Sequence, residues 1–390
     1  MRLIVVARDN VVYFCVDFFR RIFPALHASL LSCDLSTRIP AGGPVRQMIR
    51  RSSSPTLVDV AREANVSLKT ASRVLNGETG IAPGTSRRVR AVMLRMGYRP
   101  NELARSLKGR RSAAIGMVVP NLADPFNASA VKAVQEVARS KGHVVILTSS
   151  GGDEALEREE LETLVRRQVD GLIIAPADGK RNTAEPFLSA NIPVVTFDRP
   201  FTGTDIDSIT VTNRDAVREA TEHLLSHGYR QILAIGARPH LYTGAERVAG
   251  YISTMKRAQL KEDTFLVAHE SQLTMDVIRG LVKDGREKVE AILTLNGITT
   301  MAVLLALRNL GIKVGRDLAL ISFDDFDLAE IVTPSLTVIR QPATELGRRA
   351  AEVLFTRIEG GTPLPRQNIV LSTTFHIRGS CGCPEERVTV

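Results

Sequence analysis

The chain has 390 residues, of which 44% are hydrophobic and 24% are charged. Such a chain exceeds one ordinary domain and can bury more than one core, so a disordered or low-complexity protein is excluded. The formal net charge of +9 is unevenly placed: residues 48–111 carry +10, residues 1–47 carry +3 and the remainder carries −4. A basic segment beside a mildly acidic body favours a polyanion contact made by that segment, although a solvated basic face is the common alternative.

Residues 1–54 have no assignable pattern. The run VVYFCVDFFRRIF at residues 11–23 is interrupted by Asp17, Arg20 and Arg21, so it is too short and too charged to span a membrane. It also lacks the clean apolar core and small-residue cleavage site of a signal peptide. We interpret residues 1–54 as a disordered extension or the product of a misplaced start, with Met48 as the real start, and we expect no membrane association.

Residues 55–100 predict three short helices. Thr56 caps the first with Asp59 placed to reach back, and one apolar stripe follows at Leu57, Val60, Ala61 and Ala64. Asn65 ends that helix and Ser67 caps a second one, from about Leu68 to Leu75. The third runs from about Pro83 to Met96 and ends at Gly97.

The second helix is predicted to bury Ala71, Val74 and Leu75 and to expose Leu68, Lys69, Ser72 and Arg73. Two short helices joined by a three-residue turn and braced by a third are typical of a helix-turn-helix, whose second helix fits the major groove of DNA. A generic three-helix bundle is the alternative, and the local charge of +10 disfavours it.

Residues 101–112 contain NELARSLKGRRS, in which Asn101 can cap a short helix with Leu103, Ala104 and Leu107 on one side. Alone, such a helix is too short to be stable. A hinge helix that forms only when held is one interpretation, and a solvated linker is the other.

Residues 113–380 alternate apolar runs rich in β-formers with amphipathic helical stretches such as 127–141 and 154–168. The runs are IGMVV, HVVIL, GLIIAP, IPVVTF, QILAIG, AILTL and LALISF. Strands without polar alternation, separated by helix-length segments, predict parallel sheets covered on both faces, with enough strands here for two. The fold class is therefore an all-α helix-turn-helix head followed by an α/β body of two doubly wound, parallel-sheet lobes.

Ligands of parallel sheets bind beyond the carboxyl ends of the strands. Polar residues follow the strands in Asp124-Pro125-Phe126, Asp198-Arg199, Asn296 and Asp324-Asp325. No GxGxxG follows the first strand, and no P-loop or GxSxG occurs, so we expect a binding protein rather than an enzyme.

The four cysteines, Cys15, Cys33, Cys381 and Cys383, form no Cys-x-x-Cys pair and have no histidine at metal-ligand spacing. We therefore expect neither a zinc site nor disulfides, no cofactor, and a reducing cytoplasmic location; the predicted DNA-binding head would place the protein on the nucleoid. Residues 381–390 are a tail in which the role of Cys381 and Cys383 is open.

Seven stretches occur in order along residues 55–380: TLVDVAREANVSLKTASRVLNG, GYRPNELARSLKG, IGMVVPNLADPF, VDGLIIAP, HLLSHGYRQILAIG, ERVAGY and ISFDDFDLAEIVTPSLTVIRQP. Together they resemble the signature stretches of the lactose-repressor (LacI/GalR) family of bacterial transcription regulators. The resemblance implies a homodimeric repressor of a palindromic operator, with a periplasmic-binding-protein-like body in residues 113–380 that dimerises and takes a small effector, a sugar or sugar acid.

The resemblance also implies site residues. Leu68, Lys69 and Arg73 would reach base edges, and Asn101, Ala104 and Leu107 would belong to a hinge helix that enters the minor groove, with Leu107 wedged between base pairs. Phosphate-contacting or bracing residues would be Thr56, Ser67, Thr70, Ser72 and Asn76. Effector contacts would be Phe126, Asp198, Arg199, Arg247, Asn296 and Asp324.

Three positions depart from the family's pattern: Asn127 replaces a second aromatic residue, Gly297 replaces an aspartate, and Ala82 replaces the serine cap of the third helix. Two other functions remain as alternatives, a transport-type sugar-binding protein without a DNA role and an enzyme on the same scaffold. Residues alone do not decide whether the effector induces or co-represses.

Overall fold

The computed structural model describes residues 55–98, 112–180, 187, 190–283, 288–360 and 365–384, together with the backbone of residues 7, 8, 11 and 12. Two units divide the chain, residues 1–100 and residues 101–390. In the first, strands β1 (Ala7–Arg8) and β2 (Val11–Val12) pair antiparallel. The predictions for the rest of residues 1–54, and for residues 101–111, lie outside the described residues.

Three helices follow in the first unit: α1 (Leu57–Glu63), α2 (Leu68–Leu75) and α3 (Pro83–Met96). Thr56 and Asp59 form a capping box on α1, because each side chain accepts a hydrogen bond from the other residue's backbone N–H. Asn65 has a left-handed φ of 49° in the turn, and the Ser67 hydroxyl accepts the Thr70 N–H at 3.1 Å to start α2. These local signals are the ones predicted from the sequence.

The three helices share one small core. Its buried members are Val60, Ala61, Ala64, Ala71, Val74, Val89 and Val92. Arg88 on α3 donates from Nε to the Ala64 carbonyl at 3.0 Å, which satisfies an otherwise open acceptor at the end of α1. Arg95 of α3 also pairs with Glu63 of α1, so α1 is held on α3 by apolar burial and two long-range side-chain contacts, while α2 is held by the shared core.

The first lobe of the second unit is a six-stranded sheet in the order β13-β7-β6-β5-β3-β4. Every pairing is parallel. The strands are β3 (Ala114–Val119), β4 (Val144–Ser149), β5 (Leu172–Ile174), β6 (Val194–Phe197), β7 (Asp207–Val211) and β13 (Asn368–Leu371). Helices α4 (Pro125–Ser140) and α11 (Ala343–Glu359) cover one face, and α5 (Glu154–Arg166) covers the other.

The second lobe is a six-stranded sheet in the order β14-β12-β11-β10-β8-β9. Its strands are β8 (Ile232–Ala237), β9 (Asp263–Val267), β10 (Ala291–Thr294), β11 (Ala319–Phe323), β12 (Thr337–Arg340) and β14 (Thr374–His376). Helices α6 (Asn213–Ser226) and α7 (Tyr242–Arg257) cover one face. The other carries α8 (Met275–Val282), α9 (Gly297–Asn309) and α10 (Leu328–Ile331).

The chain passes between the lobes three times, near residues 212, 342 and 372, so neither lobe is one continuous segment. A glycine allows a close helix–helix contact in each lobe. A Cβ on Gly347 of α11 would lie 2.3 Å from the Ala130 carbonyl oxygen, and one on Gly250 of α7 would lie 2.4 Å from that of Arg214. Two doubly wound lobes confirm the predicted fold class, with the correction that β14 pairs antiparallel with β12 at one edge.

No helix of the described residues has the length and apolar character needed to cross a membrane.

Candidate functional site

The outward face of α2 offers a nucleic-acid interface. Leu68 is apolar but does not belong to the core of the three helices, and it is 49% exposed. The neighbouring Lys69 is also exposed. The Ser67 and Thr70 hydroxyls lie 2.8 Å apart at the start of the helix. Ser67, Lys69 and Thr70 therefore give the start of α2 a polar and cationic surface beside the exposed Leu68.

Arg73 and Asn76 lie further along α2 and contact the loop that follows it. The Arg73 guanidinium donates from Nε to the Glu78 carboxylate at 3.1 Å and from Nη2 to the Thr79 carbonyl at 2.8 Å. Asn76 donates to the same Glu78 at 3.4 Å. Arg73 is half-exposed, and Nη1 takes no part in these two hydrogen bonds, so it can donate to a base edge. Ser72 is half-buried, and the predicted hinge residues Asn101, Ala104 and Leu107 lie outside the described residues.

A polar cleft of about 420 Å³ opens within the second unit, lined by residues of both lobes. The structure brings all six predicted effector residues to it: Phe126, Asp198, Arg199, Arg247, Asn296 and Asp324. A volume of this size is typical of small-molecule sites. Most of these residues follow directly after strands, which is why the carboxyl-end rule for parallel sheets predicted them.

Arg247 is the most deeply buried charge of the cleft, at 5% exposure. It donates from Nε to the Asn213 side chain at 2.8 Å and from Nη1 to the Leu295 carbonyl at 2.7 Å, and its guanidinium lies 3.6 Å from the centroid of the Phe323 ring. Burial lowers the pKa of this guanidinium, and the Asp324 carboxylate opposes that shift. The remaining nitrogen, Nη2, has no hydrogen-bond partner among the described residues and is available to a ligand.

Asp324 and Asn296 are oriented by the elements around them. The Asp324 carboxylate accepts the Gly297 N–H at 3.0 Å and the Gln341 amide at 2.6 Å. The Asn296 side-chain oxygen accepts the Thr299 N–H at 2.7 Å as the cap of α9, which leaves its NH₂ group as the available donor. Gly297, which replaces an aspartate of the family's pattern, thus supplies its backbone N–H as a donor in the site.

Asp198, Arg238 and Asp324 have the left-handed backbone conformation, with φ of 66°, 54° and 78°. Each is the first residue after a strand, β6, β8 and β11 respectively. This conformation is costly for residues other than glycine and concentrates at functional sites. Its occurrence at three matching strand ends around one cleft indicates that the backbone there is shaped for binding.

Arg238 was not predicted from the sequence. It donates from Nη1 to the Gly152 carbonyl of the first lobe at 3.0 Å and pairs with Glu270 of the second at 3.3 Å. It therefore connects the lobes across the cleft. Nothing near Arg238 in the sequence marks this contact, because both of its partners are distant along the chain.

Asp124 caps α4 by accepting the Phe126 N–H at 3.0 Å, and it also lines the cleft. Burial raises the pKa of its carboxyl group to about 6, and the nearby Asp324 carboxylate contributes to the rise. Asn127, which replaces an aromatic residue of the family, is buried and donates to Asp124 at 3.3 Å. The cleft consequently has polar groups beside the Phe126 ring.

The prediction of no zinc site considered only the spacing around the cysteines. His223 and His227 are four residues apart and more than 150 residues earlier in the chain, and the structure places both beside Cys381 and Cys383.

A helix-turn-helix with a cationic end and a two-lobed body with a polar cleft together define a ligand-responsive DNA-binding regulator. Residues 56–101 match the family model described as "Bacterial regulatory proteins, lacI family", and residues 221–381 match that of a periplasmic binding protein-like domain.

Curated relatives agree. The chain is 30% identical over 335 residues to the HTH-type transcriptional regulator KdgR of Bacillus subtilis, which covers 83% of this chain and 97% of the relative. It is 32% identical over 330 residues to the ribose operon repressor of Escherichia coli, over 83% and 99% of the two chains.

Solved structures agree as well. A lac repressor dimer bound to operator and the anti-inducer ONPF superposes with a TM-score of 0.74 at 25% identity, over 84% of this chain and 99% of that one. The complex of the transcriptional regulator CelR with cellobiose superposes at 0.62 with 28% identity, over the same shares. The chain belongs to the LacI family of bacterial regulatory proteins. It is a transcriptional regulator, and the alternatives of an enzyme and of a sugar-binding protein without a DNA role are set aside.

Proposed function

We propose that the chain binds a near-palindromic operator as a homodimer and that a sugar or sugar acid in the cleft controls this binding. The observation that carries the proposal is that all six predicted effector residues line one cleft of about 420 Å³. Because the target is chromosomal DNA, the protein acts in the cytoplasm, at the nucleoid.

The cleft suits a polyhydroxylated ligand. Carboxylates of Asp124, Asp198 and Asp324 accept hydrogen bonds from hydroxyl groups, while Arg247 and Asn296 donate them. Phe126, which stacks with Phe197 at a centroid distance of 6.5 Å, offers an apolar face to a sugar ring. Arg199 and Arg238 are already paired with the carboxylates of Asp198 and Glu270, respectively. Arg247 is therefore the cation that can receive a carboxylate of the ligand. Cellobiose and D-xylulofuranose occupy related proteins.

For DNA, we assign base contacts to Leu68, Lys69 and Arg73, and phosphate or bracing contacts to Thr56, Ser67, Thr70, Ser72 and Asn76. The exposed end of α2 supports this assignment, since the first residues of a recognition helix are those that reach base edges. Residues 101–112, with Asn101, Ala104 and Leu107, are proposed as the hinge that orders over the minor groove. Effector binding changes the lobe arrangement and with it the operator affinity.

Genome-wide selection of bound fragments, followed by titration calorimetry with a panel of sugars and sugar acids, tests the proposal. We expect enrichment of inverted repeats, a saturable heat for one ligand class, and a change in operator affinity when that ligand is present. Enrichment without any repeat would contradict the dimeric operator, and heat without an effect on DNA binding would contradict effector control.

A further inference from the structure

Four side chains able to bind a metal ion meet at the carboxyl end of α6. They are His223 in the last turn of α6, His227 directly after that helix, and Cys381 and Cys383 near the end of the described chain. Their ligand atoms all lie within 4.8 Å of one another. This cluster, called here the His₂Cys₂ cluster, is outside the effector cleft, and no residue of the DNA-binding unit belongs to it.

Distances in the cluster match those between the ligands of a tetrahedral zinc ion. Nε2 of His223 lies 3.2 Å from Sγ of Cys381 and 3.7 Å from Sγ of Cys383, and Nε2 of His227 lies 3.2 Å from Sγ of Cys383. With Zn–S of about 2.3 Å and Zn–N of about 2.0–2.1 Å, tetrahedral geometry separates a nitrogen and a sulfur ligand by about 3.5 Å. The cluster needs only small side-chain movements to receive the ion.

The fold builds both halves of the cluster. Residues four apart on a helix share one face, so α6 presents both imidazoles to the same side. Gly382 between the cysteines has φ of 93°, and a Cβ there would lie 2.7 Å from the Tyr229 hydroxyl oxygen. Only glycine allows the chain to turn in that space and to direct both thiols to α6.

The cysteine segment is anchored independently of the histidines. The Ser380 hydroxyl donates to the Leu320 carbonyl at 2.6 Å and accepts the Thr337 N–H at 2.8 Å. The Thr337 hydroxyl lies 3.1 Å from Sγ of Cys381, where it can donate to a thiolate. Such outer contacts orient metal ligands and are a regular feature of metal sites.

A thiol and an imidazole in hydrogen-bond contact would explain Cys381 and His223 alone, because Cys381 is fully buried. Such a hydrogen bond does not explain the placement of Cys383 and His227, because both side chains reach solvent and need no buried partner. These two also give an ion a path into the cluster.

We propose that the His₂Cys₂ cluster binds one zinc ion as a closed structural site that fastens residues 379–383 to α6. Two thiolates and two imidazoles in tetrahedral arrangement are the donor set that selects zinc over magnesium, calcium or manganese. The fastening stabilises the second lobe, because the cysteine segment also hydrogen-bonds to β11 and β12.

Metal analysis of the full chain, purified under reducing conditions without a histidine tag, tests the site. After zinc reconstitution and dialysis we expect about one zinc ion per chain, and less than about a tenth of that in Cys383→Ser and in His227→Ala, since a structural zinc site needs all its ligands. Both substitutions are at solvent-reachable positions, so circular dichroism should report a folded protein. Cobalt in place of zinc should give the intense visible absorption of a tetrahedral thiolate complex.

Two control variants match these. Cys15→Ser combined with Cys33→Ser leaves only the cluster thiols, and His269→Ala removes an exposed histidine elsewhere; both should retain the full zinc content. Wild-type protein that holds less than about a tenth of an equivalent under these conditions would overturn the proposal. So would equal zinc loss in the control and cluster variants, or a Cys381–Cys383 disulfide that persists in the reduced preparation.

Discussion

Arg247 is buried, and its Nη2 nitrogen has no hydrogen-bond partner among the described residues. Substitution of Arg247 should therefore weaken effector binding without weakening DNA binding. We expect Arg247→Ala to weaken effector affinity by about 2–5 kcal/mol, the usual range for truncating a buried charged group, and to abolish the effector response. Operator affinity without effector should remain within about twofold, because the hydrogen bonds of Arg247 go to Asn213 and Leu295 of the body.

Calorimetry and operator titrations of the same preparation measure the two affinities. Arg247→Lys is the matched control: it keeps the charge but loses the fork of donors, so it should recover only part of the effector affinity. An unchanged effector response in Arg247→Ala would refute the assignment.

Asp124 makes the stability of the body depend on pH. Its pKa is about 6 in the folded protein against an ordinary value of 3.8, so between these values the folded state holds more protons than the unfolded state. The free energy of unfolding therefore falls as pH rises through that window, and the cost is complete above pH 6. We expect Asp124→Asn, which retains the helix cap, to stabilise the protein by about 1–3 kcal/mol at pH 7 and by little near pH 4.

Urea unfolding followed by circular dichroism is the suitable measurement, since the chain contains no tryptophan. Asp153→Asn at the cap of α5 is the control, because Asp153 also caps a helix but does not line the cleft. A stabilisation by Asp124→Asn that is the same at every pH would show that the Asp124 carboxylate does not cause the dependence.

Among the elements, α2 carries the assignment of base recognition, and Arg73 is the residue whose role is most open to test. Arg73→Ala should cost about 1–3 kcal/mol of specific operator binding and relax base preference at one position. Glu78→Gln, which removes the ion pair with Arg73 while keeping the side-chain volume, should not reduce specific binding. Equal losses in both variants, for operator and random DNA alike, would mean that Arg73 only braces the loop after α2.

Helix α3 begins without a side-chain cap, because Ala82 occupies that position before Pro83. Ala82→Ser should supply the missing acceptor and stabilise the first turn by about 1 kcal/mol. Amide exchange of residues 84 and 85 in the full chain should slow by about fivefold, while Ala82→Gly should give only part of that change. Unchanged exchange in Ala82→Ser would show that the turn is limited by something other than its cap.

At the scale of the whole molecule, the sequence predicted what is encoded locally. The caps at Thr56 and Ser67, the left-handed turn at Asn65 and the alternating strands and helices all depend on neighbours within a few residues. The six cleft residues were found because strand ends and family motifs mark them.

Contacts between segments that are distant along the chain could not be predicted from the sequence. Arg238 joins Gly152 and Glu270, and the His₂Cys₂ cluster joins α6 to the chain's end; in both cases the partners share no local pattern. Strand β7 begins with Asp207 and β14 runs antiparallel, so neither resembles the apolar parallel strands that were recognised.

Effector control of a two-state molecule implies reciprocity between the cleft and the operator. If the effector changes operator affinity by some factor, the operator must change effector affinity by the same factor, typically about 5–150-fold. We expect calorimetric effector affinities with and without operator to differ by the factor seen in operator titrations with and without effector. Leu107→Ala, a substitution in the proposed hinge, should reduce both factors equally, the one by which effector changes operator affinity and the one by which operator changes effector affinity. The effector affinity of the DNA-free protein should not change. Factors close to one in both titrations would mean that the cleft and the operator site are not coupled as proposed. Unchanged factors in Leu107→Ala would mean that the hinge does not carry the coupling.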